Sequence, residues 1–505
     1  MSRIALIALT IVALACGEEP TVAKVTVTAD NGVPELSRLR ITVGGETETV
    51  PGSGSVRLPT SFTITVPDGT TNLQVTVEGL DQDDLVRGFG REDVSFEVAA
   101  QTNATVNLKS ADFQISPDAM SEFRLASEAP AGGGYQAATL GSPDDDQALV
   151  VFTNGAASCT GTCIGRARVY DDSGTPVPTV FSDVGDSFAV VEDLGTQTDD
   201  VQQTVVAAGE GEAMVAYYGG AVDHVFARGF ATADWSFRKE AVADQISDDL
   251  GSSRQDTSIA RVLPDTFAIV WTEVRSGSRR VMSREVSTLG VPVDVPRELS
   301  TDAMVQRPAV APVGSGADYV VAWRAFGVTP NIIKAAFVSA SMGIVASEIE
   351  VDSAGVISAI GLLGRDDGTA VAAWAQGGAD GNAYEMVLFN SAAGPIAAPI
   401  VIAERSGSAA SRPDLVATSA TEIAVVYQNC PSECDIYMRR FRIDNNGFEA
   451  VGDEVRVPAD PSGDQRDPSI SAINSGGEIT SVLVVWTESA DGVVRVEGRV
   501  VPLDP

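Results

Sequence analysis

Aromatic residues are scarce: 17 Phe, 8 Tyr and 5 Trp make up 6% of 505 residues. Val, Thr and Ala dominate the apolar runs instead. No long segment repeats apolar residues at i, i+3, i+4 and i+7, which excludes an amphipathic-helix architecture. Histidine is nearly absent, with His224 alone, flanked by Asp223 and Val225 at a loop-to-strand junction. A Ser-His-Asp relay would have to be built on that one imidazole, and a surface histidine is the simpler reading. Positive charge is short as well, 34 Lys and Arg against 69 Asp and Glu, for a net charge of −35. Such a surface repels phosphate backbones and anionic headgroups, so nucleic acid is excluded as a partner. It is read as a solubility device for an extracellular or saline setting, the alternative being collection of cations or basic partners. There is no G-x-S-x-G, HExxH, phosphate-binding loop or dinucleotide fingerprint in a fitting context. Carboxylates are too many for one pair to stand out as acid and base.

What is present is strand. Short alternating runs lie between Gly, Asp, Ser and Pro clusters throughout, the pattern of an all-β protein. At 505 residues the chain exceeds one ordinary core unless that core grows by repetition. Aligning the last aromatic of the strongest apolar strand gives Phe152, Tyr217, Trp271, Trp323, Trp374, Tyr427 and Trp486, spaced 51 to 65 residues apart. A basic residue follows on the next strand at Arg168, Arg228, Arg284, Arg440 and Arg499, and a glycine turn at Gly174, Gly290, Gly343, Gly394 and Gly447. Seven units of four short strands predict a seven-bladed β-propeller over residues 112–505. The last unit stops after its third strand at Arg499-Val500-Val501, so the segment Glu122 to Ala126 is expected to complete it and close the ring. One aromatic per unit, in register, reads as packing between blades; carbohydrate stacking is the alternative.

Residues 18–111 carry six short strands separated by turns such as Asp30-Asn31-Gly32 and Pro67-Asp68-Gly69. They predict a small β-sandwich of immunoglobulin-like or prealbumin-like type, lacking the Cys…Trp…Cys hallmark. Leu58 to Pro67 and Val77-Glu78-Gly79-Leu80-Asp81 resemble the N-terminal domain of bacterial surface lipoproteins, a resemblance that implies a spacer or stalk and no active site. The later repeats resemble the "VVW…R-F…G" units of bacterial surface propellers; they lack the WD dipeptide and the complete Asp-box of sialidases.

Residues 1–16 have the shape of a secretory signal, with Met1-Ser2-Arg3 before the apolar run Ile4 to Leu14. Ala13-Leu14-Ala15-Cys16-Gly17 resembles the bacterial lipobox, with Ala13 where Leu is usual. The resemblance implies cleavage before Cys16 and its lipidation, and Gly17 implies the outer membrane, with the domains periplasmic or surface-exposed. Acyl chains on Cys16 would hold the protein at a membrane without a spanning segment. The other cysteines form two C-x3-C pairs, Cys159/Cys163 and Cys430/Cys434, each in the loop after the apolar strand. Two local disulfides are the simplest account. A four-cysteine zinc site would need two distant loops to meet.

Asp144-Asp145-Asp146 and Asp460/Asp464/Asp467 are candidate calcium ligands without EF-hand spacing, and solvated loop charges are the simpler reading. One constellation remains. Arg254, Arg307, Arg412 and Arg466 each shortly precede a first strand, which in a propeller lies near the central mouth. Such a cluster could read a carboxylate or sulfate. Equally, each could pair with Asp256, Asp414 or Asp467 nearby. The expectation is a non-catalytic binding or scaffolding platform for a protein or glycan. The alternatives are a secreted hydrolase or lyase using mouth carboxylates, with or without calcium, and a structural envelope component.

Overall fold

The computed structural model describes residues 7–10 and, with breaks between strands, 21–114, 136–171, 188–247 and 253–503. Every regular element among them is a β-strand. The chain divides into two compact units, Met1–Phe113 with Pro458–Pro461, and Gln114–Val457 with Ser462–Pro505.

The first unit holds strands Thr21–Ala29, Arg38–Val43, Glu46–Val50, Thr60–Val66, Asn72–Leu80, Val86–Ser95 and Gln101–Ser110, and the first, second, fourth and last of these alternate inward and outward residues. Their inward side chains make one core: Val25 and Val27, Leu39 and Ile41, Phe62 and Ile64, Val75 and Val77, Val106 and Leu108. Strict period-two alternation lets one face of each strand be apolar while the other meets water. Ile7–Thr10, inside the expected signal segment, pairs in parallel with Phe62 to Thr65 at the edge of this sheet. Cys16 lies outside the described residues.

The second unit holds seven consecutive sheets of antiparallel strands, referred to as sheets 1 to 7. Their first strands are Gln136–Thr139, Gln202–Gly209, Ser253–Leu263, Val305–Val313, Gly361–Gly364, Asp414–Ala417 and Asp464–Ser475. In each, first pairs with second, second with third, and third with an outer strand, which is two residues long in sheets 1 to 3 and ten in sheets 4 and 6. The first strands neighbour one another in sheet order, and that of sheet 7 neighbours that of sheet 1. No hydrogen-bonded ladder joins one sheet to the next among the described strands. The outer strand of sheet 7 is Phe113–Gln114. It replaces the expected Glu122 to Ala126, which lies outside the described residues. The alternation of Phe113 and Gln114 was too short to read as a strand.

The period-two runs explain the packing between sheets. In sheet 4, Val320 and Ala322 face sheet 5, whereas Tyr319, Val321 and Trp323 face sheet 3. Trp271, Trp323, Trp374 and Trp486 are all buried, and none of their indole N–H groups has a partner among the described residues. They fill the space between sheets, as one aromatic per repeat suggested.

The recurring arginine has a structural use too. Arg284 Nη1 donates to the Ile246 carbonyl (2.6 Å), Arg439 Nη1 to the Ile402 carbonyl (2.7 Å), and Arg499 to the Val457 carbonyl. Each reaches from a third strand to the outer segment of the preceding sheet. In sheet 6 the equivalent residue is therefore Arg439, which opposes Val425, and not Arg440, which opposes Ala424 and pairs with Glu422.

Sheet 5 is the tightest point. A Cβ on Gly364 would lie 1.7 Å from the Pro312 carbonyl oxygen, and one on Gly361 2.3 Å from that of Pro413. Only glycine lets these backbones approach so closely.

Candidate functional site

A cavity of about 180 Å³ lies among the first strands of sheets 3 to 7. Its wall is apolar at Ile360 and Leu362 and polar at Ser258, Arg412, Asp414 and Ser469. Asp414 is fully engaged. Its Oδ2 accepts from Ser469 Oγ (2.7 Å) and the Ile470 N–H (3.2 Å), tying sheet 6 to sheet 7, and lies 3.6 Å from Arg412.

Just before this wall the first strands are irregular. The ladder to the second strand skips two residues after Gln202, Gln255, Gln306 and Arg466. The bulged positions begin with Gln203, Asp256, Arg307 and Asp467, and the last three have left-handed backbones at φ 55°, 57° and 52°. Left-handed non-glycine residues are strained and collect where a side chain must be aimed. Aligning Arg307-Pro308-Ala309-Val310 with Arg412-Pro413-Asp414-Leu415 and Asp467-Pro468-Ser469-Ile470 puts Arg412 at the same position.

The four arginines singled out in the sequence are thus not equivalent. Arg307 and Arg412 occupy the bulge position, Arg466 precedes it by one residue and Arg254 by two. Arg254 opposes Glu273 across its ladder, and its side chain lies outside the described residues. Arg466 is exposed and pairs with Asp464 at 2.6 Å. Arg412 lines the cavity beside Asp414. Arg307 is buried, and its backbone N–H donates to Asp256 Oδ2 of the neighbouring sheet at 3.1 Å.

Charge alone pointed to arginine and missed the aspartates in the same register. Asp256 is buried and also accepts from Thr272 Oγ1 (3.3 Å). Burial pushes its carboxyl above the usual range, and Arg307 and Arg279 only partly offset that. Asp467 is half-buried. Burial raises its carboxyl to about 6 against the pull of Arg466 and Arg412. Arg307 is driven down to about 10, by burial first and by repulsion from Arg324 second. Arg279 and Arg324, from sheets 3 and 4, stack on the Phe326 ring at 5.6 and 6.0 Å. Arg279 also donates to Gln306 Oε1 at 3.0 Å, beside Arg307. Three guanidinium groups therefore gather around Asp256. The repeated x-Pro-[Ala/Asp/Ser]-apolar pattern was the sequence signal that could have aligned Arg307, Arg412 and Asp467.

No protein-family model matches the chain, and no curated protein matches it. Among solved structures it is similar to the BP39L lectin from Burkholderia pseudomallei, at 11% identity over 74% of this chain and 99% of that one, with a TM-score of 0.46. It is similar also to polysaccharide lyase Uly1, at 9% identity over 78% and 99% and a TM-score of 0.45. Hadza microbial sialidase Hz136 follows, at 10% identity over 96% and 93% and a TM-score of 0.42. The likeness is one of β-rich architecture.

The remaining expected features have ordinary surroundings. Cys430 and Cys434 form a disulfide, and its loop is held to sheet 7 by the Cys434 N–H donating to Asp464 Oδ1 (3.0 Å). Cys159 and Cys163 lie outside the described residues, as do Asp144 to Asp146 and Asp460. Among the described residues no three His, Cys, Asp or Glu side chains form a metal-ligand group. His224 Nδ1 is 3.2 Å from Ser247 Oγ, and that hydroxyl also accepts the Val225 N–H, so the pair joins a third strand to the outer segment of its own sheet.

Proposed function

We propose that the chain is a lipid-anchored surface receptor of the bacterial outer membrane that binds a glycan without turning it over. In this reading residues 1–16 are a signal ending at the lipidated Cys16, and 18–111 form a spacer. Residues 112–505 form a seven-bladed propeller whose central mouth takes the ligand. The ring-like succession of first strands supports the propeller. The observation that carries the binding reading is the cavity walled by five first strands, with chemically varied side chains at its bulged rim. In a repeat whose packing residues recur, variation confined to one register position marks the place where each blade meets something other than its neighbour. A glycan array probed with the purified chain, with bound sugars re-measured by calorimetry, tests this. Binding that survives substitution of Arg412 to Met and Ser469 to Ala would rule the mouth out.

A catalytic reading has one specific observation behind it, the Asp467 carboxyl near pKa 6, suited to moving a proton at neutral pH. Incubating the protein with acidic polysaccharides and assaying new reducing ends and unsaturated products separates the two. Turnover abolished by Asp467→Asn would replace the receptor with an enzyme.

A further inference from the structure

Arg307 presents a physical problem. A guanidinium carries five N–H donors in a planar fork and stays charged at any physiological pH. Here it is 9% exposed. Its Nε has no hydrogen-bond partner, and its side chain makes no ion pair among the described residues. Only its backbone N–H is engaged, on Asp256. That carboxyl is buried and already accepts Thr272, and its attraction for Arg307 is outweighed by burial and by the repulsion from Arg324. The nearest other charges are cations. Arg324 repels Arg307, and Arg279 is held beside it through Gln306 and Phe326. A buried, unpaired cation among cations is unfavourable as it stands. Its backbone is left-handed at φ 57°, a strained conformation for a non-glycine residue. An arrangement that costs stability and is held in place by strain is the signature of a site made for a ligand.

We infer that Arg307, flanked by Arg279 and Arg324, forms a pocket for the carboxylate or sulfate group of an acidic sugar. The sugar rests on the receptor reading above; the anion rests on Arg307 alone. A planar fork suits an oxyanion because two parallel N–H···O bonds form at once. The overall charge of −35 narrows the ligand further. It opposes a densely charged polyanion, so the favoured partner carries isolated charges among neutral groups, as a mixed polysaccharide of neutral and uronic or lightly sulfated sugars does.

The test is calorimetric titration of the full chain with sodium sulfate, sodium glucuronate and glucose. Wild-type protein is expected to bind both anions and not glucose. Arg307→Met should weaken anion binding roughly ten- to a hundredfold. Arg307→Lys keeps the charge but loses the fork and should fall between. Arg466→Met, which removes an exposed arginine already paired with Asp464, should change nothing. Near-ultraviolet circular dichroism of each variant confirms that it is folded. Equal anion binding by wild type and Arg307→Met, or none by wild type at millimolar concentration, overturns the pocket. Anion binding that depends on Arg307, with no acidic oligosaccharide bound, keeps the pocket and overturns the sugar in favour of a peptide carboxylate. A neutral glycan bound equally by both proteins, with no anion bound by either, keeps the receptor and removes the pocket.

Discussion

Replacing Arg307 by Met should make the protein more stable. Burial and the repulsion from Arg324 bring the guanidinium from 12.5 to about 10. At about 1.4 kcal/mol per pKa unit, holding this charge in the folded state costs about 3 kcal/mol. Asp256 attracts Arg307, and that attraction is already contained in the net shift. Methionine keeps most of the apolar stem but leaves the guanidinium volume unfilled, which returns about 1 kcal/mol or more of the gain. The expected net change is a stabilisation of about 1–2 kcal/mol, or a rise of a few degrees in the melting transition. The sign with pH is defined. A base whose folded pKa is lowered is penalised at every pH below that pKa. The penalty fades as pH rises through about 10 toward the unfolded value of 12.5. Calorimetric scans of the full chain at pH 7 and pH 10.5 should therefore show the variant's advantage shrinking at the higher pH. A loss of several degrees at pH 7 would mean that the guanidinium is a structural cross-link, and the reasoning would fail.

Three other outcomes follow from particular contacts. Gly364→Ala forces a Cβ onto the Pro312 carbonyl and should cost about 3 kcal/mol in chemical denaturation; a neutral result would show the first strands to be further apart than described. Changing Cys430 and Cys434 together to Ser removes a disulfide that closes a five-residue loop. The chain-entropy estimate is a loss of about 2 kcal/mol, and wild-type protein in reductant should lose the same amount. Asp467 has its carboxyl raised to about 6, so its ionised form is penalised above that pH and the penalty disappears as pH falls toward 4. Asp467→Asn should stabilise by at most about 3 kcal/mol at pH 8, less because the group is only half-buried, with no advantage left at pH 4.

The all-β class was readable because alternation with period two is the direct imprint of a sheet with one buried face. The repeat was readable for the same reason, since Trp271, Trp323, Trp374 and Trp486 must occupy equivalent sites between sheets. Register was harder. One residue separates Arg439, which reaches the Ile402 carbonyl, from Arg440, which pairs with Glu422, and both are basic. A sequence shows the composition of a strand but not which residue opposes which. The bulges raised the same difficulty at the rim. Arg254, Arg307, Arg412 and Arg466 look alike in a linear scan, yet the bulges in the first strands of sheets 4 and 7 separate buried Arg307 from exposed Arg466. Of the aspartates in the same register, Asp256 was read as a partner of the arginines, and Asp467 as such a partner or as a candidate calcium ligand.

That register position also explains how a repeat can diverge without losing its fold. The residue sits just ahead of the apolar wall, where backbone hydrogen bonds to the second strand are already interrupted. Gln203, Asp256, Arg307 and Asp467 all stand there, although Asp256 also ties its sheet to the next by accepting the Arg307 N–H. Neighbouring sheets then present opposite charges in succession, Asp256 beside Arg307 and Arg412 beside Asp467. The two pairs differ in their surroundings. Around Asp467 the opposing charges are a half-exposed Arg466 and an Arg412 already shared with Asp414, so water and protein compensate each group. Around Asp256 the burial is deeper and the cations outnumber the carboxyl, leaving Arg307 without compensation. If all that selection required at this position were solubility or a stable ring, Arg307 would be the residue most easily replaced to advantage. Its presence in a buried, strained and cation-rich setting is intelligible when the missing negative charge arrives with the ligand.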